Sequence, residues 1–566
     1  MNPQGPIGYI IGGGLKDLFH ARLTIDPLEV QEGGFVVIES GGYRFYGLVT
    51  DLQLGATDPR FADEQAGIRL PPALAELLHG QTLYTNLEIL PALMQDMGPD
   101  PLSPEYAAWR KTHSEDPAPI PVKTVPAHHA PVELARPEHI AGIFGAPGDK
   151  HFIIGSTREQ GHPVCIDLDK FVQRSSGVFG ATGTGKSFLT RIVLAGLMHY
   201  NRASVLVLDM HNEYGYDDVA SDTKQPVTGL KTKFKSKLRV VGLGAGSTIR
   251  GRQPDFNLEI AARDISTADI ETLTRELNLK ETTPTTLNAL YGSFREDWFS
   301  AFKAMNREEV EEVDDKGRVK KVPHPGSVAA WANANGVNVL AAEALHDKLR
   351  RLFNKPYIVE TPAADSVREI TQSLENGAHV VLSFGDYEND LDYLLVSNLL
   401  TRKIRLAWEH KTNEFRSHNE RREEPRPLVI VVEEAHKLLN REIASQTTFS
   451  TIARELRKYY VTLLIVDQRP SQIHDEVMSQ LGTRISGWLG DEDDIHAVLS
   501  GLSGREALRG MLARLQPKEE VLLLGWGVPM PLPVKSRRYD DQFWKELLGG
   551  GAKRTEEQNM KDLGYR

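Results

Sequence analysis

Residues 180 to 187 read Gly180, Ala181, Thr182, Gly183, Thr184, Gly185, Lys186 and Ser187, a full match to GxxxxGK[ST]. The apolar run GVF stands before them and the helical pattern FLTRIVLAG after them. Glycines at three of these positions let the backbone wrap closely around phosphate, with successive N–H groups turned inward. The helix that starts near Lys186 adds the positive end of its dipole. Lys186 is placed to reach the β- and γ-phosphates and Ser187 to ligate Mg²⁺. Gly180 through Ser187, with Phe188 behind them, form the candidate binding set for ATP. A chance glycine-rich turn is the bland alternative, and the strand-then-helix frame argues against it.

Two carboxylates come next. VIVVEEAH puts Glu433 and Glu434 directly after an apolar strand pattern. Beside a P-loop, Glu433 is the candidate for the Mg²⁺ shell and Glu434 the candidate general base for the attacking water. LLIVDQRPS ends another strand pattern at Asp467 and Gln468, and Gln468 is placed to sense the γ-phosphate or orient that water. Between them IARELRKYY carries Arg454, Arg457 and Lys458. Arginine offers a fixed fork of donors for phosphate, by which a neighbouring subunit can complete an ATPase site. A solvated basic helix face fits the same spacing. Asp209 and Glu213 in LDMHNEYG are either site-facing or a helix cap.

Several elements must hold these groups. Residues 1–95 hold short β-rich runs broken by glycines, the pattern of a small β-barrel. Residues 96–140 are proline-rich and read as an extended linker or strap. From 141 to 255 and again from 369 to 535, apolar strands alternate with helices. This is an α/β pattern, a mainly parallel sheet with ligands at the strands' carboxyl ends. Residues 256–368 read as a mainly helical insertion with an exposed charged hairpin or loop at EVEEVDDKGRVKKVPHPG. The stretch from 536 to 566 is a polar, charged tail.

Composition bounds the rest. At 566 residues several domains are expected. The net charge of −11 argues against a surface coated for nucleic acid, although a ring needs positive charge only along its channel. No apolar run is long enough to span a membrane. The single cysteine, Cys165, excludes an intramolecular disulfide and fits a cytoplasmic protein.

Taken in order, HFIIGSTRE, GVFGATGTGKS, LDMHNEYG, VEEAHKLL, IARELRKY and DQRPSQI resemble the HerA family, hexameric DNA translocases of the HerA–FtsK class. Leu456 departs from it, standing where glycine is usual. The resemblance implies a RecA-like P-loop ATPase with an N-terminal small β-barrel and a helical insertion. It also implies a homo-hexamer around double-stranded DNA, and a NurA-type nuclease as partner in DNA end resection and recombinational repair. Glu434 and Gln468 would act within the subunit, and Arg454 or Arg457 on a neighbour's ATP. The tail, with Tyr539, Phe543 and Trp544, would brace the adjacent protomer. Arg250 and Arg252, on a glycine-flanked loop beyond the lysines at 231–237, are candidate DNA contacts; a solvated surface strand explains those lysines equally well. HerA-like ATPases also occur in anti-phage complexes with a nuclease or an NAD-consuming effector. A protein-remodelling or secretion ATPase is the reading from another class.

Overall fold

The fold is described from a computed structural model, which covers residues 5–549 apart from 16, 58–82, 114–115, 160, 221–223, 314–318, 418–423, 443–447 and 503. The N-terminal strands are β1 (Gly8–Gly13), β2 (Phe19–Leu23), β3 (Phe35–Ser40), β4 (Tyr43–Ala56), β5 (Leu83–Asp96), β6 (Ile120–Pro121) and β7 (Pro131–Leu134). Their order is β2-β1-β7-β3-β4-β5-β6, and β2 also pairs with β5. That last pairing closes a barrel and removes its edges. Alternate residues such as Phe19, Ala21, Leu87, Ile89 and Val132 fill its interior.

The segment expected to be only a linker supplies β7. It is antiparallel to both β1 and β3, so the barrel cannot close without residues beyond 95. Proline hid this strand from the sequence pattern, because Pro131 stands at its first position, where the lost N–H is tolerated.

The core is a twelve-stranded sheet. In spatial order it runs Phe256–Leu258, Leu238–Leu243, His379–Ser383, Ser204–Asp209, Leu428–Glu433, Val461–Asp467, Ser176–Phe179 and Thr483–Ser486, all parallel. It ends in antiparallel strands Glu520–Gly525, Leu532–Ser536, His151–Thr157 and Pro163–Asp167. The central strands are buried along their whole lengths, as a sheet covered on both faces requires. The P-loop strand is flanked by Val461–Asp467 on one side and Thr483–Ser486 on the other. The glutamate strand Leu428–Glu433 lies one place further out, with the glutamine strand between.

The insertion is mainly helical, as expected, and carries the exposed hairpin Glu309–Val313 with Val319–Pro323. Its first residues nonetheless belong to the sheet edge, as Phe256–Leu258. The barrel meets the core through Phe35, Tyr46, Leu48 and Leu93, which join the core's apolar cluster. Beside them Arg158 pairs with Glu520 at 2.9 Å and donates to the Glu32 carbonyl at 3.0 Å.

Candidate functional site

The parallel strands bring the chemistry to one edge. Strand Ser176–Phe179 ends in the P-loop, and Gly183 and Gly185 take left-handed φ values of +77° and +88°, where a side chain would be strained. The Thr184 hydroxyl donates to the Ala181 carbonyl at 2.7 Å, and the Ala181 N–H donates to the Trp488 carbonyl at 3.0 Å. The loop is thereby tied to the segment just past the neighbouring strand Thr483–Ser486. Helix Lys186–His199 starts at once behind it and is buried through most of its length.

Glu434 follows the end of strand Leu428–Glu433. Its φ is +45°, a left-handed value that costs a non-glycine residue about 1–3 kcal/mol. Its carboxylate lies 4.0 Å from the Lys186 ammonium and 3.6 Å from His436 Nδ1. Gln468, just past the next strand, turns its amide nitrogen to Glu434 at 3.3 Å. The Gln468 amide oxygen accepts a hydrogen bond from the Thr182 hydroxyl at 2.6 Å. Base, sensor and P-loop are thus one connected unit. A cleft of about 580 Å³ opens over Thr182, Glu434, Gln468 and Trp488.

Glu433 is set deeper. Its Oε1 accepts from the Tyr214 hydroxyl at 2.7 Å, and its own carbonyl accepts from Tyr393 at 2.7 Å. Burial, then the charges of Asp209 and Glu213, push its pKa well above the usual carboxylate range. Its Oε2 is buried with no hydrogen-bond partner. An orphaned carboxylate oxygen fits Mg²⁺, which takes oxygen ligands and commonly keeps water between itself and protein. Ser187 and Glu433 would hold the ion, and its charge would offset that of the phosphates.

Asp209 closes a turn, and no helix begins between it and Asp218. Its carboxylate accepts the N–H groups of Glu213 and Tyr214 at 2.8 and 3.0 Å, and burial pushes its pKa up to about 6.

A match to a known family agrees with this geometry. Residues 152–404 match the family described as "Helicase HerA, central domain". The chain is 24% identical to the DNA double-strand break repair helicase HerA of Saccharolobus solfataricus, over 99% of this chain and 98% of that one. It is also 24% identical to HerA of Pyrococcus furiosus, over 70% of each chain. Among solved structures, the bacterial conjugative coupling protein TrwB aligns at 12% identity and a TM-score of 0.45, covering 71% of this chain and 92% of that one.

Other expected positions lie outside this cluster. Arg457 lies in the turn that precedes the glutamine strand, exposed and at the sheet edge opposite the P-loop. The Arg454 side chain lies outside the described residues. Arg250 pairs with Asp218, and Arg252 lies 3.7 Å from Asp217. Each expected DNA contact thus has an acidic neighbour. The lysines at 231–237 lie on the short helix Leu230–Phe234 and the turn Lys235–Lys237, not on a strand. Leu230 and Phe234 fix that helix by burying. Tyr539, Phe543 and Trp544, expected on a neighbour, pack within their own chain. Phe543 and Trp544 are buried on helix Asp541–Gly549, and the Tyr539 hydroxyl donates to the Thr228 carbonyl at 2.7 Å. Residues 550–566 lie outside the described residues.

Sequence reasoning assigned no part to His436, Tyr214 or Tyr393. His436 and Tyr214 sit inside motifs already recognised, and Tyr393 carries no local signal at all.

Proposed function

We propose that this protein is an ATP-driven double-stranded DNA translocase, working as a homo-hexamer with a NurA-type nuclease in DNA end resection. The observation that carries the reading is the meeting of Lys186, Glu434 and Gln468 across three strands, with the glutamine strand between P-loop and glutamate. Mg²⁺-bound ATP would lie along Gly180–Ser187, its γ-phosphate taking the place of Glu434 beside Lys186. Glu434 would then be free to accept the proton of the attacking water, which Gln468 orients.

What one subunit cannot supply supports a ring. The seven-residue strand Val461–Asp467 separates Arg457 from Gln468, about 20 Å at the usual rise per residue. Arg457 cannot reach its own ATP, so it would serve a neighbour's. The relatives' names supply the repair context, since both HerA proteins are DNA double-strand break repair helicases. No helix among the described residues is long and apolar enough to cross a membrane.

The test is ATPase activity with and without linear duplex DNA, followed by addition of the nuclease. Stimulation by duplex supports the reading. Stimulation by an unfolded polypeptide instead, with indifference to duplex, would replace it with a protein-remodelling ATPase.

A further inference from the structure

Behind Glu434 stands a pair of side chains that neither phosphate nor water needs to touch. Asp467 is fully buried at the end of the glutamine strand, and both of its oxygens are engaged. Oδ2 accepts the His436 backbone N–H at 2.7 Å and faces His436 Nδ1 at 3.0 Å. Oδ1 accepts the Arg469 N–H at 2.7 Å. One carboxylate therefore grips the chain just beyond Glu434 and just beyond Gln468. The His436 ring also faces Glu434, 3.6 Å from its Oε2.

We propose that the Asp467–His436 bridge is a positioning device for the general base, holding Glu434 in its left-handed backbone turn with its carboxylate against Gln468. The proposal rests on the reading of Glu434 as base. Glu434 lies two residues before the clamped backbone of His436, and its φ of +45° is a conformation that the surroundings must enforce. Asp467 does so from the adjacent strand, so the two strand ends move together. The ring's protonation agrees. Burial acts to lower the His436 pKa, but the hydrogen bond to Asp467 and the charges of Asp467 and Glu434 outweigh it and leave it raised. When protonated, the ring sits between two carboxylates and offsets their repulsion.

Glu434, His436 and Asp467 also bring ligand atoms within 4.8 Å of one another, as a metal site would. Asp467 has already committed both oxygens to N–H donors, so a cation there would have to break the bridge.

The test compares H436A, H436N and E434Q for ATP affinity, KM and kcat. For H436A, kcat should fall about tenfold to a hundredfold, with ATP affinity and KM within about twofold of the wild type. H436N keeps an N–H that can reach Asp467 and should recover most of the lost kcat. D467N gives the same selective loss of kcat and serves in place of H436A should that variant fail to fold. A normal kcat in H436A, or equal losses in H436A and H436N, overturns the bridge. Normal turnover in E434Q overturns instead the assignment of the base, so the two failures are distinguishable.

Discussion

The Lys186 ammonium stands 4.0 Å from the Glu434 carboxylate, although the two come from opposite sides of the helical insertion. Each is only partly exposed, so water screens the pair little. Bound phosphate would compete for Lys186 and release Glu434 to act on water. E434Q removes the base and keeps the shape. It should bind ATP at least as tightly as the wild type and hydrolyse it about 100-fold or more slowly. Equilibrium binding of a fluorescent ATP analogue, set beside single-turnover hydrolysis, checks both halves.

The position of Arg457 leads to a complementation experiment. Neither R457A nor K186A should hydrolyse ATP alone. Mixed rings contain interfaces that pair an intact P-loop with an intact arginine, and these should recover part of the activity. Recovery with R454A in place of R457A, and none with R457A, would move the role to Arg454.

His379 makes stability depend on pH in a stated direction. It is buried at the start of strand His379–Ser383, and its Nδ1 has no hydrogen-bond partner. Burial, then Arg426 and Lys237, push its pKa down to about 3 from the ordinary 6.5. Below pH 6.5 the unfolded chain binds a proton that the folded chain refuses, so stability falls as pH drops from 6.5 toward 3. By pH 5 the loss is about 2 kcal/mol. H379F abolishes this contribution, and its melting temperature should fall less between pH 7 and pH 5 than that of the wild type. Parallel falls would contradict the account.

The barrel's dependence on β7 is open to a single substitution. Val132 is wholly buried between β1 and β3. V132D places a carboxylate there with no counter-charge, at a cost of several kcal/mol, about 3–5. Limited proteolysis should then cut the N-terminal region well before the core, whereas the wild type resists. Equal resistance would return residues 131–134 to the role of a linker.

Much of this site was legible because its chemistry is local in sequence. Gly180–Ser187, Glu433 and Glu434, and Gln468 each end an apolar strand pattern, and the parallel sheet then sets those ends side by side. What escaped the sequence depends on contacts across the chain. The Tyr214 and Tyr393 hydroxyls support Glu433 from separate segments, and no spacing rule links them. Val132 reads as linker because Pro126 and Pro131 before it and Pro137 after it are turn signals, and only pairing to β1 and β3 makes it a strand. Arg250 and Arg252 read as candidate DNA contacts, and no local pattern shows the acids they face, Asp218 and Asp217, which lie in another loop. The aromatics after Pro533 are expected on a neighbouring subunit only because the family resemblance implies it. In the fold they cover the P-loop helix, where Tyr539 faces Phe188 at 6.3 Å between ring centres.

The most direct measurement for the account as a whole is displacement of a third strand from duplex DNA. A short oligonucleotide is annealed as a triplex within a blunt linear duplex, and its release is followed with ATP and Mg²⁺. Wild-type protein should release it in a reaction that needs ATP hydrolysis, and E434Q should bind the duplex yet release none. Brisk ATP turnover on the same duplex with the third strand left in place would contradict translocation.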